Sequence, residues 1–304
     1  MPPVPACKNH MGIVAGALEH LERVEGYGVG RVELVMQQSH QEAQIRDFIE
    51  RNEWTVGLHS PLFRDVEYPE YPLLASVFDT DSERQERALT LMEREIRRAP
   101  DWDAIYVVTH LQRSVGVFHE QVPSGWDEAR AVDVAVRAGE RLARVADEVG
   151  VPVHLENMMS HPLVARPETY LAILDRLPSE HIGLCFDVGH AALDAAYYGF
   201  DVVDFAAAVA HRVGSLHIHN NRILEDFDFA ILREQGLQKK YPVHPSQLVE
   251  DSWIDIRGIL EAIFSRNPSA LPTLEVYYAL DTDPDQFREG LRWLEQICFR
   301  DTRD

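Results

Sequence analysis

The sequence has few cysteines and no long hydrophobic run. Its three cysteines, Cys7, Cys185 and Cys298, share no CxxC spacing, which argues against a disulfide framework and against a thiolate zinc site. No segment approaches the ~20 apolar residues that a membrane helix needs. The N-terminal stretch MPPVPACKNH lacks the pattern of a signal peptide. We therefore expect a cytoplasmic protein with no membrane partner.

Basic residues are also scarce relative to acidic ones. The 304 residues include 29 Lys and Arg against 50 Asp and Glu, which gives a formal net charge of -21. Such a charge repels phosphate backbones. The segment QQSHQEAQIRD also lacks the basic and aromatic cluster that grips a duplex. The composition therefore disfavours nucleic acid as a partner and favours a small-molecule substrate, and it leaves the oligomeric state open.

Short β-rich segments alternate with longer segments of helical period along the chain. Strands are predicted at 4–9, 31–36, 54–59, 104–110, 151–156, 181–187, 213–219 and 272–277, and helices at 12–25, 40–51, 82–98, 127–149, 167–176, 201–211, 254–266 and 284–298. Eight strands, each followed by a helix, predict a single α/β domain over residues 1–304, a (β/α)8 TIM barrel with long loops after strands 3 and 7. A doubly wound open sheet is the alternative.

The residues at the strand ends indicate where the site lies, because active sites of this fold gather at the C-terminal ends of the strands. Six successive strands end in metal-ligand types, namely His59, His110, Glu156, Asp187, His217 with His219, and Glu275. One histidine alone is more often a core or surface residue than a ligand. Together, these residues would leave several buried charges unpaired without a cation. Glu33 and His154 are interpreted as supporting residues or as part of a buried ion pair.

Short segments at these strand ends also resemble a known family. LHSP, VTH, HLEN, FDVGHA, LHIHNN and LEV follow one another as in the xylose isomerase-like TIM-barrel superfamily, which contains endonuclease IV and many sugar isomerases and epimerases. For endonuclease IV-like members, the resemblance implies one metal ion held by His59, His110 and a bridging Glu156. It implies a second ion held by Glu156, Asp187, His217 and Glu275. His190 matches a ligand of a third.

The chain departs from that pattern at the third ion. The family places an Asp-x-His pair after strand 7, and the best match, PVHP, has His244 but carries Pro242 in place of the aspartate. The alternatives for the missing ligand are His219, Asp226 and Asp228.

The pair His59 and His110 favours more than one metal ion. Single-metal isomerases and epimerases of the superfamily keep the four ligands from strands five to eight but generally lack this pair. The family resemblance therefore implies a multinuclear site, and a mixed carboxylate and imidazole ligand set suits Zn²⁺, Mn²⁺ or Fe²⁺.

Three functional hypotheses follow. The first is a hydrolase that acts on a small phosphoester or sugar-like substrate with two or more metal ions bridged by Glu156. The second is a single-metal sugar isomerase or epimerase in which Glu156 and Glu275 transfer a proton. In both, Arg222 and His219 are predicted to bind the substrate. The third is a non-catalytic barrel that binds a metabolite. The ligand set favours the first.

Overall fold

The computed structural model is a closed barrel of eight parallel strands. It describes residues 11–64, 76–112, 122, 124–159, 161–220, 254–275 and 284–299. The strands follow one another around the barrel in chain order: β1 Gly12–Ala15, β2 Arg31–Leu34, β3 Thr55–His59, β4 Val107–Thr109, β5 Val153–Glu156, β6 Ile182–Asp187, β7 Val213–Ile218 and β8 Leu271–Leu274. Pairing of β8 with β1 closes the sheet and confirms the predicted (β/α)8 barrel.

Nine α-helices lie in the described ranges: α1 Leu18–Val24, α2 Glu42–Asn52, α3 Ser82–Arg97, α4 Glu128–Val149, α5 Pro167–Leu174, α6 Val188–Tyr198, α7 Val202–Val209, α8 Ile256–Phe264 and α9 Pro284–Cys298. Helix α4 shows how the sequence sets such bounds. Asp127 caps its first turn by accepting from the backbone N–H of Arg130 at 2.8 Å, and Gly150 ends it in the left-handed region with φ 71°. One face of the helix, which includes Ala135 and Leu142, packs into the core.

Two sequence predictions need correction. Residues 12–15, expected to open the first helix, form β1 instead, because a short apolar run does not distinguish strand from helix and pairing with both β2 and β8 decides it. The strand predicted at 4–9 lies outside the described residues. Helix α6 was not predicted; it begins directly after Asp187 with no intervening loop.

The long connections after β3 and β7 agree with the prediction in length. β3 ends at His59 and α3 begins at Ser82, whereas β7 ends at Ile218 and α8 begins at Ile256. Residues 65–75 and 221–253 of these connections lie outside the described ranges. Within those ranges, no helix combines the length and the apolar character that crossing a membrane requires.

The barrel interior is polar at several levels. Side chains alternate along each strand, so Leu216 and Ile218 of β7 belong to the apolar core while Ser215 and His217 lie on the opposite face. Other buried polar or ionisable side chains are Arg31, Glu33, His154, Cys185 and Thr273 on the strands and Tyr106 directly before β4. Glycine makes room for the large ones, since a Cβ at Gly57 would overlap the ring of Tyr106.

Candidate metal centre

The predicted ligands converge at one end of the barrel. They are the last residues of their strands or lie at the strand ends: His59 on β3, His110 after β4, Glu156 on β5, Asp187 on β6, His217 on β7 and Glu275 after β8. Parallel strands present their carboxyl ends at the same mouth. The fold therefore brings together six residues, of which the first, His59, and the last, Glu275, are more than two hundred positions apart in the sequence.

The first group of ligand atoms comes from β3, β4 and β5. Nε2 of His59 lies 3.0 Å from Nε2 of His110, and these two atoms lie 3.1 Å and 2.9 Å from Oε2 of Glu156. Ligands around one zinc-sized cation, each bonded at about 2.0–2.2 Å, are separated by roughly 3–3.6 Å. Two nitrogens and one oxygen with these spacings therefore fit a single divalent cation.

The second group shares Glu156 and adds ligands from β6, β7 and β8. Nδ1 of His217 lies 3.3 Å from Oε2 of Glu156, 3.6 Å from Oε2 of Glu275 and 3.9 Å from Oδ2 of Asp187. This Nδ1 atom is buried and has no hydrogen-bond partner within the described ranges. Three carboxylates around an unpartnered imidazole nitrogen form a donor set that suits a divalent cation.

A third group contains Asp187, His190 and His219. Nε2 of His219 lies 3.0 Å from each carboxylate oxygen of Asp187. Nδ1 of His190 lies 3.6 Å from Oδ1 of Asp187 and 3.3 Å from Oε1 of Glu156. His219 is thus buried against the Asp187 carboxylate. From the sequence, His219 was predicted to bind substrate and was also one alternative for the missing ligand of the third ion.

Asn157 holds the end of β6 in place and was not assigned a role from the sequence. Its side-chain amide donates to the carbonyl oxygen of Asp187 at 2.9 Å, and its Oδ1 accepts from the backbone N–H of Asp187 at 2.7 Å. The Asp187 carboxylate also accepts from the backbone N–H of His190 at 2.6 Å and so caps α6. Its position directly after Glu156 in the HLEN segment is the sequence feature that could have identified Asn157 as part of the site.

The charges of this cluster compensate one another. Burial alone would raise the pKa of Glu156, but His110 and His217 hold it well below its usual range. His190 and His219 likewise outweigh burial and lower the pKa of Asp187 to about 2. Burial lowers the pKa of His190, yet Asp187 and Glu156 raise it to about 10. Protonated histidines therefore balance the carboxylates when no cation does, and cation binding would displace those protons.

Glu275 differs from the other carboxylates. Its side chain is 21% exposed, against 2% for Glu156 and 0% for Asp187. Burial, opposed by His217 and assisted by Asp187 and Glu156, raises the pKa of Glu275 to about 7. Glu275 is therefore the carboxylate of this group most open to the barrel mouth.

Several predicted residues lie outside the described ranges. They are Arg222, Asp226, Asp228, Pro242 and His244. Their predicted roles in substrate binding and at the third ion stay predictions.

Comparison with known proteins identifies the family of this chain. A family profile described as xylose isomerase-like TIM barrel matches residues 21–297. The chain belongs to this family. The resemblance noted in the sequence is thereby confirmed for nearly the whole chain.

Individual relatives are distant. The uncharacterised protein MJ1311 of Methanocaldococcus jannaschii is 27% identical over 129 residues, which cover 41% of this chain and 43% of that protein. The solved structure of the IolI protein with a zinc atom superposes with a TM-score of 0.68 at 15% identity, over 95% of this chain and 99% of that one. The 3-keto-D-glucoside 4-epimerase YcjR of E. coli gives 0.65 at 14% identity, over 94% and 99%. These similarities establish the fold.

Proposed function

We propose that this protein is a divalent-metal-dependent hydrolase that acts on a small phosphorylated or sugar-like molecule. The observation that carries the proposal is the position of the Glu156 carboxylate between two sets of ligands. Its Oε2 lies 3.1 Å from Nε2 of His59, 2.9 Å from Nε2 of His110 and 3.3 Å from Nδ1 of His217, so both ligand groups include it. A carboxylate shared in this way suits a bridge between two cations.

The surroundings of Glu156 favour bridging over proton transfer. Its Oε1 lies 3.3 Å from Nδ1 of His190, so both carboxylate oxygens have imidazole neighbours. The side chain is 2% exposed, which leaves little room for a substrate hydrogen to reach it. A general base must approach the proton that it removes. Glu156 is therefore better placed as a ligand than as a base.

The cations, when bound, would polarise an ester or phosphoryl oxygen and lower the pKa of an attacking water molecule. His59, His110 and Glu156 would hold one cation, and Glu156, Asp187, His217 and Glu275 would hold the other. Asn157 fixes the backbone of Asp187 and thereby the direction of its carboxylate. Glu275 is the most exposed carboxylate of this group, with 21% of its side chain accessible, and as a ligand it would be deprotonated.

A sugar isomerase or epimerase is the second candidate. The ligand group from β5 to β8 contains enough donors for one cation by itself, and its two glutamates could then exchange a proton with the substrate. Glu275 is the more exposed of the two, with 21% of its side chain accessible against 2% for Glu156. A zinc atom in the IolI structure and the epimerase activity named for YcjR also support this candidate.

Zn²⁺, Mn²⁺ and Fe²⁺ all suit the mixed ligand set.

We also propose a cytoplasmic location, because Cys185 and Cys298 are buried free thiols that require no oxidising compartment.

Reaction type can be tested with the purified, metal-loaded protein. A panel of sugar phosphates and small phosphodiesters would be assayed for phosphate or alcohol release, and ketoses would be incubated in D₂O and followed by NMR. Release that depends on His59, without deuterium incorporation at carbon, supports hydrolysis. Deuterium incorporation that survives His59→Ala supports the epimerase and contradicts the hydrolase. His211→Ala, at an exposed histidine outside the site, is the matched control.

A further inference from the structure

A buried carboxylate lies directly below the ligand groups. Glu33, on β2, has a side chain that is 0% exposed, and its Oε1 lies 2.8 Å from Nε2 of His217, 184 residues away in the sequence. Its Oε2 accepts a hydrogen bond of 2.8 Å from the hydroxyl group of Tyr106. Each oxygen of this carboxylate therefore has one defined partner.

This arrangement determines which nitrogen of His217 carries a proton. An ionised carboxylate has no proton to give and only accepts, so Nε2 of His217 donates to Oε1 of Glu33. In the neutral imidazole, Nδ1 then keeps its lone pair. Nδ1 is the atom that faces Glu156 at 3.3 Å and Glu275 at 3.6 Å. The contact with Glu33 thus leaves the metal-facing nitrogen free to bind a cation.

Tyr106 has little freedom to move away from Glu33. Its ring is fully buried and stacks on the imidazole of His154, with the centroids 5.0 Å apart and an interplanar angle of 18°. Its hydroxyl also lies 3.4 Å from Oγ1 of Thr273. Gly57 has no side chain and so leaves room for the ring, which a Cβ at that position would overlap. Burial raises the pKa of Tyr106, which keeps the hydroxyl protonated as a donor.

We propose that Glu33, held by Tyr106, is a positioning residue that fixes His217 with Nε2 protonated and Nδ1 directed at the metal. This inference rests on the proposed function, because it requires a cation at the group that contains His217. Partners of this kind orient a metal-ligating imidazole and increase its basicity, and their loss typically weakens metal binding about 10–100-fold.

The test is zinc affinity measured by chelator competition on the full chain. Glu33→Gln is expected to weaken zinc binding about 10–100-fold, because an amide can present either an oxygen or an N–H to Nε2 and no longer selects one tautomer. Tyr106→Phe should shift the affinity in the same direction by less. Ser215→Ala is the matched control, since Ser215 is fully buried in the same interior and its hydroxyl contacts His154 at 3.0 Å. It should leave zinc affinity unchanged.

Nitrogen NMR of the zinc-loaded protein provides a readout that a merely structural role would not change. The wild type should show His217 protonated at Nε2 alone, and Glu33→Gln should show loss or mixing of that signal. Wild-type zinc affinity in both the Glu33 and Tyr106 variants would overturn the inference while leaving the proposed function intact. Failure of the wild type to bind zinc, or binding unaffected by His217→Ala, would overturn both.

Discussion

Replacing Glu156 with glutamine should remove most of the metal-dependent stabilisation of the fold. Glu156 contributes an oxygen to the His59–His110 group and to the group containing Asp187, His217 and Glu275. An amide is neutral and offers only one acceptor oxygen. Both proposed cation positions would therefore lose their shared ligand in a single substitution.

The size of the effect follows from linkage. A cation at one hundred times its Kd stabilises the folded state by about 2.7 kcal/mol, so two cations contribute about 5 kcal/mol. With an unfolding entropy of about 2.1 cal/mol/K per residue, the 304 residues give about 0.64 kcal/mol/K. The wild-type Tm should therefore be about 8 °C higher with saturating zinc than with chelator.

Differential scanning calorimetry with zinc and with EDTA measures this difference. Glu148→Gln is a suitable control, because Glu148 is 58% exposed and pairs only at the surface with Arg97 at 2.8 Å. The control should keep the full shift, and Glu156→Gln should lose most of it. A Glu156→Gln protein with the wild-type shift would refute the role of a shared ligand.

Two further predictions concern the layer below the metal centre, both measured in chelator by urea unfolding. Burial, assisted by Arg31 and opposed by Glu33, lowers the pKa of His154 from 6.5 to about 4. The stability that the neutral, buried His154 contributes is therefore complete above pH 6.5 and is lost as the pH falls towards 4. His154→Gln should flatten that fall, which is of the order of 3 kcal/mol, and an unchanged pH profile would contradict a buried neutral imidazole. Gly214→Ala would place a Cβ against the His154 ring and should cost about 1–3 kcal/mol; unaltered stability would show that the interior has room.

The barrel and the position of the candidate ligands at the strand ends could be predicted from the sequence because both depend on local patterns. A buried β segment that ends in a polar residue indicates a strand and its mouth-facing side chain at once, as at Asp187 in GLCFDVGHA. Once eight such segments are placed in a parallel barrel, the convergence of their ends follows from the fold. The structure accordingly brings His59, His110 and Glu156 to within 3.1 Å of one another.

Other features depend on contacts that no local pattern encodes. Residues 12–15 were predicted as helix because the segment GIVA is too short to show a period. Only pairing with β2 and β8 defines it as strand β1. Tyr106 was predicted only as one apolar residue of the strand at 104–110, whereas its hydroxyl donates a hydrogen bond to Glu33 on β2. The contact of His219 with Asp187 joins two strand ends and likewise required the folded arrangement.

Metal content per chain tests the central claim, two cations that share Glu156, most directly. The protein would be purified without chelator or nickel affinity resin, loaded with zinc, desalted and measured by plasma mass spectrometry beside His59→Ala and the control His211→Ala. Two or more equivalents in the wild type and in the control, with at least one lost in His59→Ala, is the predicted result. A single equivalent that persists in His59→Ala would contradict a shared multinuclear site and would favour the single-metal epimerase.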